Sequence, residues 1–166
     1  MRYCNRCVMP ETKPGVSMDE GGVCNACRSV ERKKLIDWDA RHQELIDICE
    51  EVKSKNNSCY DVLVPVSGGK DSQYQAWMMK EICGMNLLTV CLAPHLPTEE
   101  GIHNINSMVT NLDVDLIKVN LKPNTLRKLR RKCFIEQGEP NWAEHCAVFA
   151  SVTNIALLYD IPLMLW

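Results

Sequence analysis

From Asp61 to Trp166 the chain alternates short apolar runs with stretches in which apolar residues recur every three or four positions. The runs are DVLVPV (61–66), NLLTVCL (86–92), DLIKVNL (115–121) and IPLMLW (161–166). They are too short for helices and rich in Val, Ile and Leu, and each predicts a strand. Between them the 3.6-residue period predicts helices over 72–83, 101–112, 124–137 and 142–159. Strand and helix in strict alternation imply an α/β fold, a parallel sheet with helices on both faces. Ahead of this region Leu35, Trp38, Leu45, Ile48, Cys49 and Val52 recur at helical spacing with charges between them, predicting one helix over 29–55. Residues 1–28 follow neither period. They are rich in Gly, Pro and Cys, poor in large aliphatics, and can build no core of their own. The expected organisation is a small module over 1–28, a linker helix over 29–57 and an α/β domain over 58–166, with no internal repeat. Leu163-Met164-Leu165-Trp166 reads as a buried strand with nothing after it to cover it, so the α/β domain is expected to continue in a longer polypeptide or to pair with another subunit.

Composition narrows the partners. The 166 residues are 46% hydrophobic and 24% charged, the profile of a domain with a real core. Nineteen basic against twenty-one acidic residues give a formal charge of −2, which provides no general field for nucleic acid or an anionic membrane. No apolar run approaches the roughly 18 residues of a membrane span, and Met1-Arg2-Tyr3-Cys4 does not begin a secretory leader. A cytoplasmic protein with no membrane partner is expected. In that compartment the ten cysteines are expected to be thiols, with Cys49, Cys59, Cys83, Cys91 and Cys133 acting as small buried hydrophobes.

The remaining cysteines are arranged differently. Cys4-x-x-Cys7 and Cys24-x-x-Cys27, sixteen residues apart, have the spacing of two zinc knuckles whose four thiolates close a tetrahedron around one Zn²⁺. Four cysteine ligands leave no position for water, so the ion is expected to be structural and to supply folding energy to a coreless segment.

Ser67-Gly68-Gly69-Lys70-Asp71-Ser72 lies directly after the first predicted strand of the α/β domain and opens its first helix, where sheet topology places ligand sites. Glycines there let backbone N–H groups converge on an anion, helped by the helix N-terminus. The spacing fits neither GxxxxGK[ST] nor GxGxxG. It resembles the PP-loop of the N-type ATP pyrophosphatases, which split ATP between its α and β phosphates. By that resemblance Ser67, Gly68, Gly69 and Ser72 cradle pyrophosphate, Lys70 offsets its charge and Asp71 helps hold Mg²⁺, so that Lys70 and Asp71 are the catalytic candidates.

Taken with RYCNRCVMPETKPGVSMDEGGVCNACR at the start and YDIPLMLW at the end, the loop makes the chain similar to the N-terminal part of the N-acetyl sugar amidotransferases of bacterial surface-polysaccharide (lipopolysaccharide) biosynthesis. The resemblance implies adenylation of an N-acetyl carbonyl on a nucleotide-linked sugar, then displacement of AMP by ammonia to give an acetamidino sugar. It also implies glutaminase and cyclase-like subunits that supply the ammonia.

Other positions carry weaker expectations. His95, in the loop after the second strand, is a possible nucleotide contact, and the backbone of 91–93 could receive adenine. Asn104 and Asn106 read as solvated. Arg127, Lys128, Arg130, Arg131 and Lys132 crowd one helix, as a solvated face or as a patch for phosphates. In GEPNWAEHCAVFAS, Trp142 and His145 are the substrate candidates. Cys133 and Cys146 belong to a rival reading, a PP-loop tRNA thiolation enzyme in which they would carry sulfur.

Overall fold

The computed structural model describes residues 1–94 and 96–166, so His95 lies outside the described residues. The chain divides into two compact units, Met1–Leu45 and Ile46–Trp166.

In the first unit two tight turns present the cysteine pairs. The Val8 amide donates to the Cys4 carbonyl and the Cys4 amide to the Met9 carbonyl, with Val8 at φ +52° closing the turn. Antiparallel bridges Tyr3–Pro10 and Met18–Cys24 hold the flanks. Cys24 then caps helix α1 (Asn25–Lys33), its sulfur accepting from the Cys27 amide. Only Cys4 and Cys24 are buried among the described residues of this unit, as expected of a segment without a core.

Where periodicity predicts one helix over 29–55, the structure has two, α1 and α2 (Trp38–Lys55). The Asp37 carboxylate accepts from the Ala40 amide at 3.0 Å and starts a new helix, while the Trp38 indole donates to the Lys33 carbonyl at the end of the old one. A side chain that favours caps thus wins over a period that reads straight through.

The second unit is the α/β domain. Strands β1 (Val62–Pro65), β2 (Leu87–Leu92), β3 (Asp115–Val119) and β4 (Leu163–Met164) form one parallel sheet in the order β3-β2-β1-β4. Helices α3 (Lys70–Trp77), α4 (Glu99–Leu112), α5 (Pro123–Gln137) and α6 (Trp142–Leu158) connect them, α3 running on into a π-helical turn, Met78–Ile82. The period of two along a strand separates the faces. Leu63, Leu88 and Val90 meet Val152, Ala156 and Ile161 in one buried cluster on the α6 side. Val62, Val64, Leu87 and Thr89 alternate with them and are equally buried, and Ala76, Met79, Ile105 and Met108 supply buried side chains from α3, its π turn and α4. The parallel sheet with helices on both faces is the predicted one. Of the cysteines expected to be buried, Cys49, Cys83 and Cys91 are, Cys133 is half-buried and Cys59 is exposed. Cys59 sits in the loop before β1, outside any packed face, where its carbonyl accepts from the Asn86 amide group. Among the described residues no helix is long and apolar enough to cross a membrane.

Candidate functional site

Parallel strands leave their carboxyl ends at one edge, and there β1 hands over to the glycine loop. Gly68 takes φ +80°, and a Cβ on it would lie 2.6 Å from the Gly101 carbonyl oxygen, so loop and α4 meet backbone to backbone. The Gly68 carbonyl accepts from Asn104 Nδ2 at 3.1 Å. Asn104, expected to be merely solvated, therefore holds the loop in place. Gly69 is the N-cap of α3 and brings no side chain to that role, which leaves the head of the helix open to an anion. Ser72 Oγ ties the turn together, donating to the Gly69 carbonyl at 3.2 Å and accepting from the Ser67 amide at 3.4 Å. Lys70 and Asp71 stand largely in solvent as an ion pair, Nζ to Oδ1 2.5 Å.

Two cavities meet at Ser67. One, about 540 Å³, runs from the loop (Ser67, Gly69, Lys70, Ser72) to Val148 of α6 and to Trp166. The other, about 400 Å³, lies beyond β2 and is walled by Cys91, Ala93, Pro94, Gly101, Ile102 and Lys118. The second is mainly apolar, and burial pushes the Cys91 thiol upward in pKa against the opposing pull of Lys118. The expected adenine-side backbone, 91–93, does flank a cavity.

Trp142 and His145, the substrate candidates, are exposed on α6, and neither lines either cavity among the described residues. His145 falls one helical turn before Val148 and two before Val152, both of which line the larger cavity. Trp166 closes that cavity and stacks on Phe149, ring centroids 4.6 Å apart. Asn106 is exposed. Cys133 is half-buried and Cys146 exposed, and no bond between their sulfurs is found among the described residues.

In the first unit the sulfurs of Cys4, Cys7, Cys24 and Cys27 all lie within 4.8 Å of one another. Cys4 to Cys27 is 3.9 Å and Cys7 to Cys24 is 3.6 Å. A tetrahedral ion with metal–sulfur bonds of about 2.3 Å requires sulfur–sulfur edges of roughly 3.8 Å, so the donor set fits. The electrostatics agree. Backbone N–H groups of Cys24 and Arg6 pull the Cys4 thiol down to about 6. Cys27 is pushed up to about 12 by its bond to the Cys7 thiol and by burial, the response of crowded thiols that cannot all ionise without a cation among them.

No protein-family model matches this chain, and no curated protein sequence is similar to it. Among solved structures it is similar to the NH3-dependent NAD synthetase of Campylobacter jejuni, with a TM-score of 0.56 and 16% identity over 77% of this chain and 56% of that one. It is also similar to the NMN synthetase of Francisella tularensis, with a TM-score of 0.57 and 14% identity over 73% of this chain and 50% of that one. The chain thus shares the fold of those two synthetases, and it spans about half of their length.

Proposed function

We propose that this chain is the nucleotide-activating part of an ATP-dependent amidotransferase that converts the N-acetyl group of a nucleotide-linked sugar into an acetamidino group. The observation that carries the reading is the glycine loop. An open helix head, fixed by the Gly68–Gly101 contact and by Asn104, lies between an apolar cavity that can take a nucleoside and a larger one that can take a second substrate. The choice of a sugar substrate rests on the likeness of the cysteine module and the loop sequence to the N-acetyl sugar amidotransferases.

An amide carbonyl is a poor electrophile because its oxygen does not leave. In the proposed reaction that oxygen attacks the α-phosphorus of ATP, the α–β bridging P–O bond breaks, and pyrophosphate departs into the loop. Ammonia then adds to the activated carbon and gives up one proton to solvent, and the C–O bond to AMP breaks as the amidinium forms. The chain's own part is positioning and charge stabilisation. Backbone N–H groups around Gly68, Gly69 and Ser72 hold the departing phosphates, and Lys70 turns from its pairing with Asp71 to offset their charge. Mg²⁺, held by Asp71, would neutralise phosphate oxygens. In the four-cysteine module, Zn²⁺ on Cys4, Cys7, Cys24 and Cys27 would be structural, since no ligand position remains open. Glutaminase and cyclase-like subunits would deliver the ammonia, in the cytoplasm where ATP is at hand.

The test incubates the protein with UDP-linked N-acetyl sugars, ammonium and Mg-ATP, and follows AMP, pyrophosphate and sugar mass. Equimolar AMP and pyrophosphate with exchange of one oxygen for NH on the sugar is the expected result. AMP formed only with tRNA and a sulfur donor would overturn it.

A further inference from the structure

The crowded basic helix α5 begins at the carboxyl end of β3, on the same sheet edge as the glycine loop. In the order β3-β2-β1, β3 stands two strands from β1, a separation of about 10 Å at the usual strand spacing. At the head of α5 is a cavity of about 200 Å³ lined by Pro123, Asn124, Leu126, Arg127 and Arg130. Arg127 and Arg130 are three positions apart and share a helix face. Leu126 is buried beneath them and anchors that turn.

The two arginines are only partly satisfied. One Nη of Arg130 pairs with Glu144 of α6, while its Nε is shut off from solvent and meets no acceptor among the described residues. A shielded N–H without an acceptor is costly, and a turn of the Arg130 side chain toward the cavity would let an anion there satisfy it. Arg127 has a long bond to Asn124 Oδ1, 3.3 Å, and no ion pair among the described residues. No acidic residue stands in the first turn of α5, and Lys122 supplies no side-chain cap. Lys128 and Arg131 add positive charge on the same helix.

We infer that the Arg127–Arg130 cavity at the head of α5 is a second anion site, built for the diphosphate of a small ligand. Guanidinium groups recognise phosphate through paired N–H donors, which suits two arginines on one face of a small cavity. Extended RNA fits less well. It needs a continuous positive field, and here the dense cluster is five residues on one helix of a chain with a formal charge of −2. The source of the diphosphate rests on the proposed function: it is the bridge between nucleotide and sugar, held here while the N-acetyl end of the same molecule lies at the glycine loop.

The experiment titrates inorganic pyrophosphate into Gly69→Val protein by calorimetry, so that the loop is blocked and α5 is read alone. Binding should persist, weaken with added salt, and weaken by about tenfold or more when Arg127→Ala is added. Arg127→Lys should restore part of it. In protein with an intact loop, Arg127→Ala should raise KM for the UDP-linked sugar by a similar factor and leave KM for ATP unmoved. Arg127 is exposed, so this variant tests binding rather than folding. Absence of pyrophosphate binding in Gly69→Val protein, or indifference to Arg127→Ala, overturns the inference. So does an RNA that binds far more tightly than pyrophosphate through Arg127. If pyrophosphate binds through Arg127 while no nucleotide-sugar supports AMP formation, the anion site stands and the proposed function falls.

Discussion

At Gly68 the backbone is in the left-handed region and a Cβ would press on the Gly101 carbonyl oxygen at 2.6 Å. Gly68→Ala therefore costs about 1–2 kcal/mol from conformation, with the clash added, and should show as lower urea stability together with lost nucleotide binding. Gly69 differs. Its φ is −80°, and a Cβ there would meet only Ser67 Oγ at an ordinary 3.4 Å. Gly69→Val should fold normally and still fail to bind ATP, because the new side chain crowds the head of α3, where the phosphates would sit. Urea melts beside nucleotide titrations separate the two kinds of glycine. Asn104→Ala removes one hydrogen bond from the Gly68 carbonyl, worth about 1 kcal/mol, and should weaken ATP binding with little change in melting. Equal affinities in Asn104→Ala and unaltered protein would mean that the loop holds its shape without α4.

Helix α4 carries both Gly101 and Asn104 to the loop, so its start matters. Thr98 Oγ1 accepts from the Gly101 amide at 3.0 Å. Thr98→Ala should cost about 1 kcal/mol and raise the Kd for ATP, although Thr98 is not part of the glycine loop. The four-cysteine module is an element of another kind. With only Cys4 and Cys24 buried among its described residues, and with four sulfurs spaced to fit one metal ion, its order is expected to depend on such an ion. A strong chelator should expose Met1–Leu45 to trypsin while Ile46–Trp166 stays resistant. Loss of both units together would mean that the metal also supports the sheet. Much of this was legible in the sequence. The strands announce themselves as apolar runs, the helices as periods, and the cysteine quartet and glycine loop as spacings. The break at Asp37 was not, because one capping carboxylate interrupts an unbroken period. Nor was Asn104. A lone amide on a polar helix face reads as solvated, and its partner Gly68 is brought near only by the packing of α4 on the loop.

Over the whole molecule, two weak acids held protonated by the fold set an alkaline limit. Burial and the neighbouring Cys83 thiol push Cys49 up to about 12 from 9.0. Tyr60, whose hydroxyl donates to Asp115 at 2.8 Å, is pushed to about 12 from 10.0. Above pH 9 the unfolded chain releases these protons and the folded chain keeps them, so stability should fall as pH rises from 9 toward 12 and be unaffected by them below 9. Urea melts across that range should show the slope, and Tyr60→Phe should flatten it above pH 10. Strand order has a consequence of another sort. β1, which leads into the glycine loop, pairs with β2 at Leu87 but with β4 only at Leu163. On a ribosome adding about 5–20 residues each second, one edge of β1 waits several seconds or more for its second neighbour. Of the two inner strands, the one on which the glycine loop depends is therefore left open longer during synthesis, and a chaperone that shields bare strand edges would serve it most.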